Sequence, residues 1–367
     1  MAAIVASAAD EDIAYSSVKV DIQGIASHNS GVQLRNGRVV FVSSYAMASG
    51  IFNPETNAYH RIVMPPGNYS YRGAVLLPDG RVVFVPFNAT TIGIFDPETN
   101  AFSTIAGEPG SGTYSGGVLL SDGRVLFVPF GATTIGIFNP ATNAYSTVAG
   151  MPGGGAYVGG VLLRDGRVVL VPRNATTIGI FNPATNEYST IPGMPGDGAY
   201  YGGVLLPDGR VVFVPFSATT IGIFDPTTNA YSTIAGMPGG NAYARGVLLS
   251  DGRVVFVPWR ATAIGIFNPT TNAYSTIAGP RTSYAYCSGV LLNDGRVLLV
   301  PHDGKTIGIL TVSDERARRR AHARTEAVKA ELVAEAWHPS RMSRWCLDED
   351  ERREMAEMGL CDATATA

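Results

Sequence analysis

An Asx-Gly-Arg triplet recurs along this 367-residue chain, and its glycines, Gly37, Gly80, Gly123, Gly166, Gly209, Gly252 and Gly295, are spaced by 43 residues at every step. A period of this length, kept without insertion or deletion, marks an array of supersecondary units, none of which can bury its apolar face alone. Seven copies leave only short ends. The chain is therefore read as one repeat domain, not as the two domains that its length alone would suggest. Apolar residues make up 46% of it, enough for an extensive core and too many for a disordered chain.

The copy that starts at Tyr71 reads YRGAVLLPDGRVVFVPFNATTIGIFDPETNAFSTIAGEPGSGT. It contains four strand-like runs, at 73–77, 81–86, 91–95 and 101–105. Asp79-Gly80 predicts a tight hairpin with a primed turn, since this pair supplies positive φ values. Asp96-Pro97-Glu98-Thr99-Asn100 predicts a second turn. The first three runs are almost continuously apolar, as strands covered on both faces are. The fourth alternates, Phe102, Ser103, Thr104, Ile105, and so belongs at an exposed edge. Four antiparallel strands graded from buried to exposed, repeated seven times, predict an all-β, seven-bladed β-propeller. A β-solenoid is the weaker alternative, because its coils are usually shorter.

The ends carry an independent signal. The last copy has strand-like runs at 288–292, 296–301 and 306–311 but no fourth run. Ala14-Tyr15-Ser16-Ser17-Val18 near the start matches Ala144-Tyr145-Ser146-Thr147-Val148 almost letter for letter. The N-terminal segment is thus expected to be the outer strand of the last blade, pairing near 307–310 and removing an open sheet edge. The expected organisation is an N-terminal extension at 1–13, a propeller at 14–313, and a charged helical tail at 314–367. The tail holds 10 Lys/Arg and 12 Asp/Glu in 54 residues. A first helix ending at Pro339 and a second between Asp348 and Gly359 are predicted there. Trp337, Met342, Trp345, Leu347, Met355 and Met358 need cover from the propeller, a partner or a second copy. Arg316 and Arg318 to Arg320 are read as a solvated helix face in preference to a nuclear signal or RNA contact.

A net charge of −3 argues against a chain-wide nucleic-acid surface. No run approaches the roughly 18 apolar residues of a membrane helix. Three cysteines, an odd number, do not make a disulfide framework. With no basic, apolar leader at the start, a cytoplasmic location is expected.

Differences between copies concentrate in the loop after the second strand and at the start of the first strand. In a propeller both emerge on one face, around the mouth of the channel. That face is expected to carry Arg72, Phe87, Phe130, Arg173, Phe216, Arg245, Trp259, Arg260, His302 and Asp303. Arginine and aromatic side chains are common anchors of interfaces. The competing reading has the aromatics capping the core and the arginines merely solvated. A second ring, Tyr71, Tyr114, Tyr157, Tyr200, Tyr243 and Tyr286, with His28 in the first copy, is expected to pack blades, each hydroxyl satisfying a loop carbonyl. His28, Cys287, His302 and Asp303 form a weaker metal or acid–base candidate, since no local ligand spacing supports it. The Arg after each Asp-Gly is expected to bridge to the hairpin Asp or to a neighbouring blade's carbonyl, on the opposite face.

The segments DGRVVFVP and IGIFDPTTNAYSTI resemble repeats of kelch and galactose-oxidase-like propellers. They are equally similar to NHL-type and streptogramin-lyase-like propellers. Val85-Pro86 stands where kelch repeats have Gly-Gly, and Tyr188, Tyr231 and Tyr274 stand where they have Trp. The kelch resemblance implies protein binding. The lyase-like resemblance implies His/Glu chemistry on one face, although the repeat text holds no His to match, and no catalytic residue of either group carries over. The expected function is a non-enzymatic scaffold that binds a protein or another ligand on its loop face, without a cofactor, a membrane or nucleic acid. The tail is a further candidate for partner binding or self-association. The alternative is an enzyme or small-ligand or metal binder with a site around His28 and His302.

Overall fold

The structure is a computed structural model, which describes residues 12–20, 28–43, 49–64, 71–107, 112–302 and 306–312. Among these, twenty-eight strands, β1 to β28 in chain order, form seven four-stranded antiparallel sheets. The second blade is typical: β6 (Tyr71–Leu76), β7 (Val82–Pro86), β8 (Thr91–Asp96) and β9 (Ala101–Ala106), hydrogen-bonded in that order. Consecutive first strands contact one another around the ring, so the seven sheets surround a common axis. The chain is a seven-bladed propeller. The predicted tail at 314–367 lies outside the described residues.

Local chemistry sets each turn. Gly80 has φ +87 and its N–H donates to the Leu77 carbonyl at 3.0 Å, while Leu77 N–H donates to Arg81 O at 2.8 Å. Asp79 is not among the residues with positive φ. The hairpin is therefore a type I turn closed by a glycine bulge, not the primed turn expected from Asp-Gly. Only one residue needs the left-handed region, and Asp79 is freed to accept from Arg81 N–H at 3.1 Å. The next turn uses Asp96 Oδ1 to accept from Glu98 N–H at 2.9 Å, with Asn100 at φ +54.

Burial follows position in the blade. β7 is fully buried, β8 buried except at its ends, and β9 has no buried residue, with only Phe102 and Ile105 half-buried. β6 departs from expectation: it is buried only on alternate residues. As the innermost strand it borders the channel, so water reaches it from the axis. Neighbouring blades bury apolar faces against each other; Val118, Leu126 and Val128 of the third blade pack with Val168, Leu170 and Phe181 of the fourth. Glycine lets the inner strands approach this closely. A Cβ on Gly117 would lie 2.5 Å from Val75 Cγ2 and 2.8 Å from Val85 Cγ2, on the preceding blade.

The tyrosine ring is internal, but its partner differs from the loop carbonyl expected. Except at Tyr71, whose hydroxyl pairs with Thr91 because Phe102 stands in the outer strand, each hydroxyl meets a tyrosine from the outer strand of its own sheet, as in Tyr114 to Tyr145 at 2.8 Å, Tyr157 to Tyr188 at 2.6 Å, Tyr200 to Tyr231 at 2.6 Å, and Tyr286 to Tyr15 at 2.7 Å. Burial pushes the Tyr188, Tyr231, Tyr274 and Tyr286 hydroxyls up, so they stay protonated donors.

In four of the blades the Arg of Asp-Gly-Arg makes both bridges anticipated for it. Arg124 Nε donates to Asp122 Oδ2 at 2.8 Å, and Arg124 Nη2 reaches the Pro183 carbonyl of the next blade at 3.0 Å. The same pair of contacts recurs at Arg81, Arg167 and Arg210.

Closure follows the register read from the repeats. β1 (Ile13–Lys19) pairs antiparallel with β28 (Thr306–Val312), Tyr15 opposite Leu310 and Val18 opposite Ile307. Ile13 is 5% exposed and joins a core with Val257, Leu299 and Leu310. Asp12 adds an ion pair to Arg253, which is also bridged to Asp251 at 2.7 Å. The clasp thus binds the last sheet to its neighbour as well as completing it.

Candidate functional site

The loop face is built on a backbone network that joins consecutive blades. In the last five blades, the residue after the proline ending the second strand donates its N–H to a carbonyl just ahead of its own first strand: Phe130 to Thr113 at 2.7 Å, Arg173 to Ala156 at 2.8 Å, Phe216 to Ala199 at 2.9 Å, Trp259 to Ala242 at 2.8 Å and His302 to Ala285 at 2.9 Å. Its own carbonyl accepts from the next blade, as in Gly155 N–H to Phe130 O at 2.7 Å and Ala242 N–H to Phe216 O at 2.9 Å. With both backbone groups held, these side chains are fixed around the mouth.

They touch in sequence around the ring. Phe87 and Phe130 have centroids 5.9 Å apart, and the Arg173 guanidinium carbon lies 5.4 Å from the Phe130 centroid. Phe216 and Trp259 are 6.5 Å apart, and Trp259 and His302 4.3 Å. Phe216 is buried, while Phe87, Phe130, Trp259 and His302 are half-buried. Both readings of the aromatics hold in part: they cap the core and still present area to the mouth.

A second row comes from irregularities in the inner strands. Pairing slips between Tyr71 and Gly73, between Tyr200 and Gly202, and between Tyr243 and Gly246. Residues in such a bulge leave the ladder and are re-aimed. Arg72, Tyr201 and Arg245 occupy these positions. The Arg72 guanidinium carbon sits 3.7 Å from the Phe87 centroid, and Tyr201 lies 4.9 Å from Phe216. Arg245 lines an axial cavity of about 240 Å³ whose wall is otherwise mainly glycine, with Ser30 and Ser288 adding hydroxyls.

Three cations therefore gather at the mouth. Burial depresses the Arg72 pKa, and the like charges of Arg173 and Arg245 depress it further, while Tyr201 opposes the trend. Arg72 Nε and Nη1, Arg173 Nε and Arg245 Nε are buried atoms that have no hydrogen-bond partner among the described residues. Buried donors are normally paired, so four unpaired ones on three adjacent arginines are unusual. Arg260 is different. It is exposed on the rim and donates from Nε to the Tyr284 hydroxyl at 2.7 Å.

The histidine candidates do not converge through their rings. His28 is fully buried; its Nδ1 donates to the Pro301 carbonyl at 3.2 Å, and Nε2 accepts from the Tyr59 hydroxyl at 3.4 Å. It takes the place of the blade tyrosine. His302 Nδ1 donates to the His28 backbone carbonyl at 3.0 Å, which places the lone pair of a neutral ring on Nε2. The Cys287 thiol is buried and donates to Val300 O at 3.6 Å. Asp303 lies outside the described residues, and among those described no group of three His, Cys, Asp or Glu side chains is placed to hold a metal.

Tyr201 and Tyr284 were missed as members of the face. Tyr201 stood at a copy-variable position, so the signal was present. No family model matches the chain, and no curated protein matches it. Solved structures do. A streptogramin B lyase superposes with a TM-score of 0.71 at 19% identity, over 82% of this chain and 98% of that one. The virginiamycin B lyase of Staphylococcus aureus gives 0.71 at 16%, over 82% and 99%, and so does its catalytically inactive histidine-to-alanine variant with quinupristin. At such identities the likeness is one of fold alone, and it does not establish the kelch type.

Proposed function

We propose that this chain is a binding propeller whose loop face receives a ligand or partner at the channel mouth. The observation that carries this reading is the set of buried N–H groups on Arg72, Arg173 and Arg245 that find no partner among the described residues, framed by aromatic side chains of four blades. A protein that left such donors buried for structure alone would lose stability with no return. Binding offers that return, because the donors and the aromatic area are held ready by a rigid backbone.

A second reading, an enzyme of the lyase-like kind, draws on the fold of the lyase structures and on His302 beside Trp259 at the mouth. The two are separable. A thermal-shift panel of metabolites should yield compounds that raise the melting temperature of the wild type but not of Trp259→Ala, with hairpin-face Arg210→Gln responding like wild type. Shifts that follow Arg210 and ignore Trp259 would place binding on the wrong face. Incubation with quinupristin, followed by mass spectrometry, tests the second reading: cleavage that disappears in His302→Ala would establish it.

A further inference from the structure

We infer that the loop-face site recognises a compact dianionic group, of the phosphate-ester class, on a ligand with a flat apolar body. This rests on the loop face being the binding face and names the chemistry it would select.

Charge comes first. Arg72, Arg173 and Arg245 belong to the second, fourth and sixth blades, so they approach the mouth from separate directions. None has a carboxylate partner among the described residues, whereas Arg81, Arg124, Arg167 and Arg210 of the hairpin face are each bridged to an aspartate. A ligand that satisfies three guanidiniums from three sides must offer several acceptor oxygens on one centre. A monocarboxylate has two oxygens and one charge. A phosphate monoester has three terminal oxygens and close to two charges at neutral pH, which suits a forked cation on each side.

Geometry agrees. With Phe87 at stacking distance beneath it, the Arg72 guanidinium spends its flat face on the ring, and its N–H edge is left for an acceptor. The unpartnered atoms are edge nitrogens, Nε and Nη1. The axial cavity, about 240 Å³, is too small for a helix or strand but takes a phosphoryl head, and Arg245 is on its wall. The aromatic ring outside it, Phe87, Phe130, Phe216 and Trp259 with Tyr201, offers flat area to whatever body the phosphate carries. Apolar area around a buried cationic centre suits a small amphipathic anion better than a broad acidic protein surface.

Isothermal titration of the full chain with phenyl phosphate, inorganic phosphate and benzoate tests this. The expected result is saturable binding at one site, with phenyl phosphate tightest, inorganic phosphate weaker for want of the ring, and benzoate weakest. Arg72→Gln and Arg245→Gln should each weaken phenyl phosphate roughly ten- to a hundredfold, the loss expected for a charge-assisted pair. Arg210→Gln on the opposite face should leave it unchanged. Because either mouth variant could unfold, Arg72→Lys serves as the folded companion, keeping charge while losing the fork, and should bind at intermediate strength. Benzoate binding as well as phenyl phosphate, or affinity indifferent to Arg72 and Arg245, overturns the inference. If phenyl phosphate fails while neutral compounds still protect in a Trp259-dependent way, the binding face stands and only its anion chemistry falls.

Discussion

Replacing Arg72 by Met should make the unliganded protein more stable. Two Arg72 nitrogens are buried without partners among the described residues, and two more arginines stand close enough to oppose its charge. Each buried unpaired donor costs about 1–3 kcal/mol. Met keeps much of the aliphatic stem and removes both donors and the repulsion. What is lost is the cation–π contact with Phe87 at 3.7 Å, worth about 0.5–2 kcal/mol. Two such donors less that contact leave a gain centred on about 3 kcal/mol, which raises the melting temperature of a chain this long by roughly 5 °C. Scanning calorimetry at low and at high salt measures it. Since the repulsion is screened by salt, the advantage of Arg72→Met should shrink as ionic strength rises. A fall of several degrees at both salt concentrations would mean that Arg72 holds the blades together, and the functional reading of its unpaired donors would fail. Sites kept for binding at the expense of stability behave in this way.

Other outcomes follow from the ring. Deleting residues 1–18 should lower the melting temperature by more than roughly 5 °C, because a sheet edge reopens and buried Ile13 alone is worth about 2–4 kcal/mol; an unchanged melt would deny the clasp its role. Hydrogen bonding from Arg253 holds the Asp12 carboxyl below the ordinary carboxylate value. Its contribution is therefore complete above that unfolded value, near about 4, and is lost as pH falls through the lower folded one. Asp12→Asn should melt below wild type at neutral pH by at most about 1 kcal/mol, given its partial exposure, and the two should converge in strong acid. Gly117→Ala should destabilise by about 1–3 kcal/mol through its 2.5 Å approach to Val75. Gly116→Ala, whose Cβ would meet nothing nearer than 3.6 Å, should be tolerated in the same denaturation assay.

The periodicity made the ring and its closure legible, since a missing fourth strand at one end and a spare one at the other leave a single solution. Turn detail was less so. Asp-Gly suits both a primed turn and a type I turn with a glycine bulge, and only φ at Asp79 separates them. Continuous apolarity concealed the half-exposed inner strand, because residues such as Ala74 and Leu76 keep their type whether they meet a neighbouring blade or the axis. The tyrosine pairs could have been found: Tyr114 and Tyr145 are separated by 31 residues, as are Tyr157 and Tyr188. The same register applied to His28 and Tyr59 would have placed the His28 ring inside the blade, leaving its backbone carbonyl, not its ring, to His302. At the mouth, variation between copies located Arg72, Arg173 and Arg245, but not that bulges aim Arg72 and Arg245 or that each buries an Nε with no acceptor among the described residues. Those facts depend on where the backbone leaves the ladder.

The most direct measurement is a crystal of the full chain soaked in phenyl phosphate. The phosphoryl group should appear at the axis, within hydrogen-bond distance of Arg72, Arg173 and Arg245, with its ring against Phe87, Phe130 or Trp259. Density only among the Asp-Gly-Arg hairpins of the opposite face, or a mouth left unchanged at saturating ligand, would contradict it.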